Sequence, residues 1–307
     1  MDVKGYDIIG DIHGHADELV KLLNHLGYQD HGTGFSHATR KVIFLGDFID
    51  RGEHLRQHRQ LLGIVMPMVS NGHAHAVMGN HEFNALAFHT EHDGEYLRPH
   101  TAKNIEQHQA FLNEYEAEPD LKREVLDFFI RLPLWLELDG IRVVHACWDD
   151  EFIKVMCSKA PKRVLDRDLL IEASMKGTLA YNAIERLLKG VEVKLPKGIT
   201  FRDKNDHERG AVRVQWWKQN AETLGEIALP EALDIGHAAS MSAPDFIPTY
   251  SADQPPCFVG HYWLDGEPEP LAPNVACLDY SVAKEGKLVA YRWSGERVLC
   301  KNNFTHI

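Results

Sequence analysis

Within its first 82 residues the chain runs three times from a short apolar stretch into a glycine-flanked polar loop: GDIHG at 10–14, GDFIDRG at 46–52 and GNHE at 79–82. The apolar stretches, Tyr6 to Gly10 (YDIIG), Lys41 to Leu45 (KVIFL) and His75 to Met78 (HAVM), read as buried strands. After the first, Leu19, Leu22, Leu23 and Leu26 recur at helical spacing, and Gly27 stands where a helix would be capped. Glu53 to Ile64 reads as a second helix, and a third is expected after GNHE. Such strand–helix alternation predicts a mostly parallel sheet with helices outside it. Ligands of open α/β sheets gather beyond the carboxyl ends of the strands, where all three polar loops lie.

Further along, residues 90 to 131 are polar with helical periodicity and read as a helical insertion. Leu134 to Leu138, the Asp139-Gly140 turn and Ile141 to Ala146 form the clearest hairpin, which delivers His145 at its end. From about 150 to 255 the pattern weakens. Ile171 to Leu188 reads as helix, FRDKNDHERGAVRVQWW takes no firm assignment, and SMSAPDFIPTYSADQPP is a loop by composition. Strands return with CFVGHYW and NVACLDY, then a hairpin through KLVAYRWSGERVLC with Ser294-Gly295 in the turn. The expected architecture is one α/β domain over 1–307: two packed mixed sheets with helices outside, a helical insertion at about 90–131 and a variable insertion at about 150–255.

At 307 residues the chain can bury an ample core. Asp and Glu (45) outnumber Lys and Arg (33), so stable binding to nucleic acid is not expected. A small phosphorylated ligand is still allowed, because a local metal charge overrides the global sign. Five cysteines with no C-x-x-C pair point to reduced thiols. No signal peptide or membrane-length apolar run is visible, so a soluble, cytoplasmic protein without membrane contact is the expectation.

Two later strands also end in histidine, in VVHA and CFVGH. The candidate set is then Asp11, His13, Asp47, Asn80, His145 and His261: two carboxylates, one amide and three imidazoles, with no thiolate. That mixed N/O set suits Mn, Fe, Zn or Ni, and Mn is the first expectation. It is too large for one tetrahedral ion and fits two divalent ions sharing a carboxylate, an arrangement used for in-line displacement at phosphorus. Such ions lower the pKa of bound water and polarise a phosphoryl oxygen. Arg51 offers a planar fork to phosphate oxygens. His81 is placed to protonate the leaving oxygen, and Asp50 to hold that ring in its protonated form.

The blocks DIHG, GDFIDRG, GNHE, VVHA and VGH resemble the phosphoprotein-phosphatase branch of the calcineurin-like metallophosphoesterases. The likeness is close over 10–82, looser at 143–146 and 259–261, and faint over 150–255. It implies the four-layer sandwich of that superfamily. It also implies that Asp11, His13 and Asp47 hold one metal, and that Asp47 bridges to a second held by Asn80, His145 and His261. Asp50 and His81 match the family's acid dyad and Arg51 its phosphate clamp. A second arginine usually comes from mid-chain; Arg213 is ranked ahead of Arg209. The chain departs from the family in reading His145-Ala146-Cys147-Trp148, and in following His261 with Tyr262 and Trp263, so it has no G-H-x-H pair. It also lacks the C-terminal loop of eukaryotic phosphatases, and so resembles bacterial diadenosine-tetraphosphate hydrolases and small bacterial protein phosphatases.

Isolated histidines mean little in a chain with 19 of them, and His15, His25, His54, His58 and His108 read as solvated or helical. Glu82 reads as a first-turn helix acid, Cys147 as a packing residue, and Trp148, Trp216, Trp217 and Trp263 as core. The expected activity is hydrolysis of a phosphomonoester by a bacterial protein phosphatase-like enzyme. The alternative is symmetrical cleavage of a dinucleoside polyphosphate. A non-catalytic metal-binding scaffold ranks below both, because Asp50, Arg51 and His81 are all present. Partners are accordingly a phosphorylated protein or a small nucleotide substrate; oligomeric state is not readable.

Overall fold

The computed structural model describes residues 3–32, 34–51, 54–202 and 208–307. Its first sheet runs in the order Asp279–Tyr280, Lys287–Trp293, Gly5–Ile9, Arg40–Phe44, Ala74–Ala76, with Phe304–His306 also paired to Lys287–Trp293. Gly5–Ile9, Arg40–Phe44 and Ala74–Ala76 are parallel, and Lys287–Trp293 is antiparallel to Gly5–Ile9. The second sheet runs Val275–Cys277, Cys257–Val259, Ile141–Val144, Trp135–Leu138. Its first three strands are parallel, and the last closes the expected hairpin. Asp139 (φ 48°) and Gly140 (φ 91°) take the left-handed conformations that a tight two-residue turn demands.

Side-chain alternation makes the layers. Tyr6, Ile8, Ile43 and Tyr291 point from the first sheet to meet Ile141, Val143 and Phe258 of the second in one apolar cluster. The opposite-facing Ile9, Val42 and Phe44, and Val144, Cys257 and Val259 on the other sheet, join a larger cluster with the helices. Leu19, Leu22, Leu23 and Leu26 bury one face of the helix Ala16–Leu26, and Gly27 (φ 89°) caps it. The result is the expected α/β sandwich: helices, sheet, sheet, helices. No helix among the described residues is long and apolar enough to cross a membrane.

Several boundaries differ from the expectation. The second helix is His58–Ser70, not a helix from Glu53, which lies outside the described residues. Its start is set from a distance: the Glu114 carboxylate accepts from the backbone N–H groups of His58 and Arg59, both at 3.0 Å. No local pattern encodes such a cap. The third strand is Ala74–Ala76, although Val77 still donates to Phe44 O at 3.0 Å. Ile171 to Leu188 is two helices, Arg167–Ser174 and Leu179–Lys189, parted at Gly177 (φ 90°), with Asp166 and Thr178 capping the two starts. NVACLDY switches sheets, contributing Val275–Cys277 to one and Asp279–Tyr280 to the other.

The expected terminal hairpin is absent. Lys287–Trp293 pairs instead with Phe304–His306, because Glu296 ties the intervening turn to itself, accepting from Ser294 N (2.9 Å) and Asn303 Nδ2 (2.8 Å). The stretch at 90–131 is helical over Ala102–Tyr115 and Pro119–Ile130. Between 150 and 255 a third sheet appears, Glu192–Lys194, Ala211–Val214 and Ala228–Leu229. Phe201–Arg202 pairs with Glu208–Arg209 beside it; residues 203–207 of the unassigned stretch lie outside the described residues.

Candidate functional site

Five parallel strands of the two sheets end at one place. Gly5–Ile9 leads into Asp11 and His13, Arg40–Phe44 into Asp47, Asp50 and Arg51, and Ala74–Ala76 into Asn80 at the head of the helix Asn80–His89. Ile141–Val144 leads into His145, and Cys257–Val259 into His261. All six candidate ligands are buried. Ligand atoms of His13, Asp47 and His81 lie within 4.8 Å of one another, and so do those of Asp47, His145 and His261. Asp47 is common to both groups: its Oδ2 is 3.7 Å from His13 Nε2 and 3.4 Å from His145 Nε2. Asn80 Oδ1 faces His145 Nε2 at 3.1 Å and His261 Nδ1 at 2.7 Å.

The convergence needs backbone that ordinary residues resist. His13, Asp47, Asp50, Arg51, His261 and Trp263 all have φ between 45° and 72°. Each such residue costs on the order of 1–3 kcal/mol, a strain that clusters at functional sites. Two glycines allow the closest approaches. A Cβ on Gly79 would stand 2.2 Å from Asp47 Oδ1, and one on Gly260 2.0 Å from Asp11 Oδ1.

Electrostatics favour a cation here. Burial pushes the Asp11 carboxyl well above its ordinary range, and Asp279 and Asp47 push it further. Its Oδ1 and the Nε2 of His13 are buried with no hydrogen-bond partner. Burial opposes charge on His145 and Asp47, yet each holds the other ionised: His145 is pushed up to about 10 and Asp47 held well below the usual carboxylate range. A cation bound there would compete with that proton for the ring. Unpartnered donor atoms, clustered carboxylates and neutralisable imidazoles, with the Nδ1 rings of His13 and His145 fixed on Ile49 O (2.9 Å) and Leu45 O (2.7 Å), fit divalent metal ions.

Beside this cluster, His81 Nδ1 bonds Asp50 Oδ2 at 2.7 Å. Burial works against charge on His81, but Asp47 and Asp50 outweigh it and raise the ring above its ordinary value. The Arg51 guanidinium lies 3.8 Å from the centroid of Trp263, with its Nε buried and unpartnered. Trp263 is thus half-buried support for Arg51 rather than core, while Trp148, Trp216 and Trp217 are buried as expected. Cys147 is a buried free thiol. Arg213 and Arg209 both face Glu192, at 3.7 and 3.6 Å. Arg213 is the nearer to the centre electrically, since its charge helps hold His261 well below its ordinary value, second to burial.

Three roles were not anticipated. Glu82 is fully buried and accepts from the backbone N–H of Asp47 (2.8 Å), Phe48 (2.8 Å) and Gly79 (3.0 Å), clamping two polar loops together. Asp279 is buried beside Asp11 and accepts from Trp263 N at 2.7 Å. His108 and His58, read as solvated or helical, are helical but buried; His108 Nδ1 bonds the second oxygen of Asp50 at 2.7 Å. The spacing of His108, Phe111 and Tyr115 along one helix face is the signal that marks His108 as inward-facing.

The family model described as calcineurin-like phosphoesterase matches residues 6–245. An asymmetrical bis(5'-nucleosyl)-tetraphosphatase PrpE from Oceanobacillus iheyensis is 30% identical over 141 residues, covering 46% of this chain and 54% of the relative. The chain therefore spans little more than half the length of that relative. The protein of the same name from Geobacillus thermodenitrificans is 34% identical over 183 residues, covering 56% of this chain and 69% of its own. Among solved structures, a protein serine/threonine phosphatase from Saccharomyces cerevisiae superposes with a TM-score of 0.51 at 12% identity, over 100% of this chain and 79% of that one, a likeness of fold. The chain belongs to the calcineurin-like phosphoesterase family, whose members are metal-dependent hydrolases.

Proposed function

We propose that the protein hydrolyses a phosphoanhydride or phosphoester of a dinucleoside polyphosphate with two divalent metal ions, Mn(II) first among Mn, Fe, Zn and Ni. The observation that carries this is the grouping of His13, His145 and His261 around Asp47, with Asn80 against both later histidines, Asp11 at the His261 backbone, and Arg51 and the His81–Asp50 pair alongside. Asp11, His13 and Asp47 would hold one ion; Asp47, Asn80, His145 and His261 the other. When bound, such ions polarise a phosphoryl oxygen and lower the pKa of water.

The chain's own residues do the rest. Arg51, braced on Trp263, offers its guanidinium fork to phosphate oxygens, and Arg213 lines the same cleft. His81 donates its Nδ1 proton to Asp50, which leaves Nε2 to pass a proton to the departing oxygen. Glu82 keeps the Asp47 loop against Gly79. The non-catalytic scaffold gains no support, because the proton donor and the phosphate fork stand assembled beside the ligand cluster.

Substrate choice rests on the cleft. Its volume is about 2210 Å³, well above the few hundred Å³ typical of small-ligand sites. Arg51, Arg98, Lys103 and Arg213 offer charge for a polyanionic chain, and the partly exposed Phe201 and Tyr181 offer rings for bases. The names of the relatives weigh the same way and point to asymmetrical cleavage, where the sequence alone ranked phosphoprotein first and symmetrical cleavage second. A phosphopeptide remains the second reading, favoured by the breadth of a cleft whose walls also carry Glu106, Glu185 and Glu192. Diadenosine tetraphosphate, a phosphoserine peptide, a phosphotyrosine peptide and p-nitrophenyl phosphate, each assayed with Mn(II), Fe(II), Zn(II) and Mg(II), decide it. AMP plus ATP from the first, with Mn(II) the best activator, is expected; faster peptide dephosphorylation would favour the second reading.

A further inference from the structure

The helix Ala102–Tyr115 lies in the inserted region, outside the strand-end motifs, yet it sends one side chain to the proton donor. Asp50 is buried, with φ 63°, and each of its carboxylate oxygens meets a different imidazole at 2.7 Å: Oδ2 meets His81 Nδ1 and Oδ1 meets His108 Nδ1. We propose that His108 is a positioning residue for the His81 proton donor, holding Asp50 from the far side so that the carboxylate fixes the His81 ring. The proposal rests on the reading of His81 as the donor to the leaving oxygen.

The hydrogen-bond chain continues behind Asp50. His108 Nε2 lies 3.1 Å from His89 Nε2. A carboxylate only accepts, so His108 donates from Nδ1, and at the Nε2–Nε2 contact one ring donates to the other, which needs at least one of them neutral. Burial favours a neutral His89 ring, pulling it down to about 4. Three imidazoles and one carboxylate thus form a line, His89 to His108 to Asp50, with His81 donating from the other end.

The surroundings hold His108 firmly. Its ring stacks on Phe111 (centroids 4.7 Å apart, planes 17°) and tilts against Phe88 at 5.0 Å. The helix that carries it is capped by Thr101, and its Glu114 in turn caps His58–Ser70. Arg98, bonded to Gln107 Oε1 at 2.7 Å, adds positive charge toward Asp50 from the same region. Burial would push Asp50 up, and among its neighbours His108 does the most to hold it below the usual carboxylate range, ahead of His81. Without His108 one oxygen of a buried carboxylate loses its donor, and Asp50 becomes free to turn in a strained loop.

A packing role and a positioning role separate by leaving group. His108→Phe keeps the stacked ring and removes the hydrogen bond; His108→Asn restores a donor near the Nδ1 position. The test compares kcat and KM on p-nitrophenyl phosphate, whose leaving group needs little protonation, with phenyl phosphate, whose leaving group needs more. A positioned acid contributes about 10²–10⁴-fold, so His108→Phe is expected to lower kcat on phenyl phosphate at least about tenfold more than on p-nitrophenyl phosphate, with KM changed less than about threefold. His108→Asn should recover much of the difference. In metal-free protein labelled with ¹⁵N-histidine, the Nδ1–H signals of His81 and His108 are expected among the slowly exchanging ones, beside those of His13 and His145; in His108→Phe the His108 signal is lost and the His81 signal is broadened. Equal losses on both substrates, or an unchanged His81 signal, overturn the proposal. Wild-type protein inert on both substrates with every metal overturns the underlying reading of the site instead, and the NMR comparison still judges the hydrogen-bond line.

Discussion

Replacing Glu82 by alanine should unfasten the centre without touching a candidate ligand. The carboxylate is fully buried and serves three backbone donors, Asp47 and Phe48 at 2.8 Å and Gly79 at 3.0 Å. A buried donor left without an acceptor costs about 1–3 kcal/mol, so three would cost about 3–9 kcal/mol if none found a substitute. Two effects reduce this. Water can enter the emptied space, and a carboxyl that burial and Asp47 push up to about 7 is relieved of its own desolvation. The expected net loss is therefore about 3 kcal/mol. Glu82→Gln keeps the volume and one acceptor oxygen. Set where Oε2 now receives Asp47 and Gly79, that oxygen leaves an amide NH₂ against the Phe48 N–H, a donor facing a donor, at a cost of about 1–2 kcal/mol. Urea unfolding of the metal-free proteins measures both changes, and Mn(II) titration of the folded variants reports weakened binding. Alanine and glutamine variants within about 0.5 kcal/mol of wild type, with unaltered metal affinity, would refute the clamp and the reasoning about buried donors behind it.

Gly260→Ala sets a methyl 2.0 Å from Asp11 Oδ1, so it should weaken Mn(II) binding by at least about tenfold, read by calorimetric titration, while leaving the second sheet intact by circular dichroism. The pH dependence of stability should carry a histidine signature. His89 is pulled down to about 4 in the folded protein, against about 6.5 unfolded, so the unfolded chain takes up that proton first as pH falls. Its contribution is fully present above about pH 6.5 and is lost between there and about 4; urea midpoints of His89→Gln should fall less over that window than those of wild type. Trp263→Ala removes the platform 3.8 Å from Arg51, worth about 1 kcal/mol, and should raise KM about fivefold with a smaller change in kcat, read from steady-state kinetics.

The part of the fold that builds the centre was legible because it is local. GDIHG, GDFIDRG and GNHE each place a strand end, a turn and a functional group within a few residues; in the structure His13, His145 and His261 group with Asp47, Asn80 meets His145 and His261, and Asp11 accepts from the His261 backbone. The Asp139-Gly140 hairpin was legible for the same reason. What escaped depends on distant partners. The start of His58–Ser70 is set by Glu114, the last strand pairs across a turn tied by Glu296, and NVACLDY divides between two sheets. His108 was hidden among many histidines, and its meaning lies in a contact 58 residues away with Asp50. The Glu192–Lys194 sheet is made of strands of two to four residues, too short for alternation to register.

The central claim is that one carboxylate, Asp47, joins two halves of a metal-dependent hydrolytic centre. Its most direct test is the rate of Mn(II)-dependent diadenosine tetraphosphate hydrolysis by wild type and by Asp47→Ala, with folding of the variant checked by circular dichroism. Charge stabilisation worth several kcal/mol predicts a loss on the order of a thousandfold or more. A folded Asp47→Ala protein as active as wild type would contradict the account.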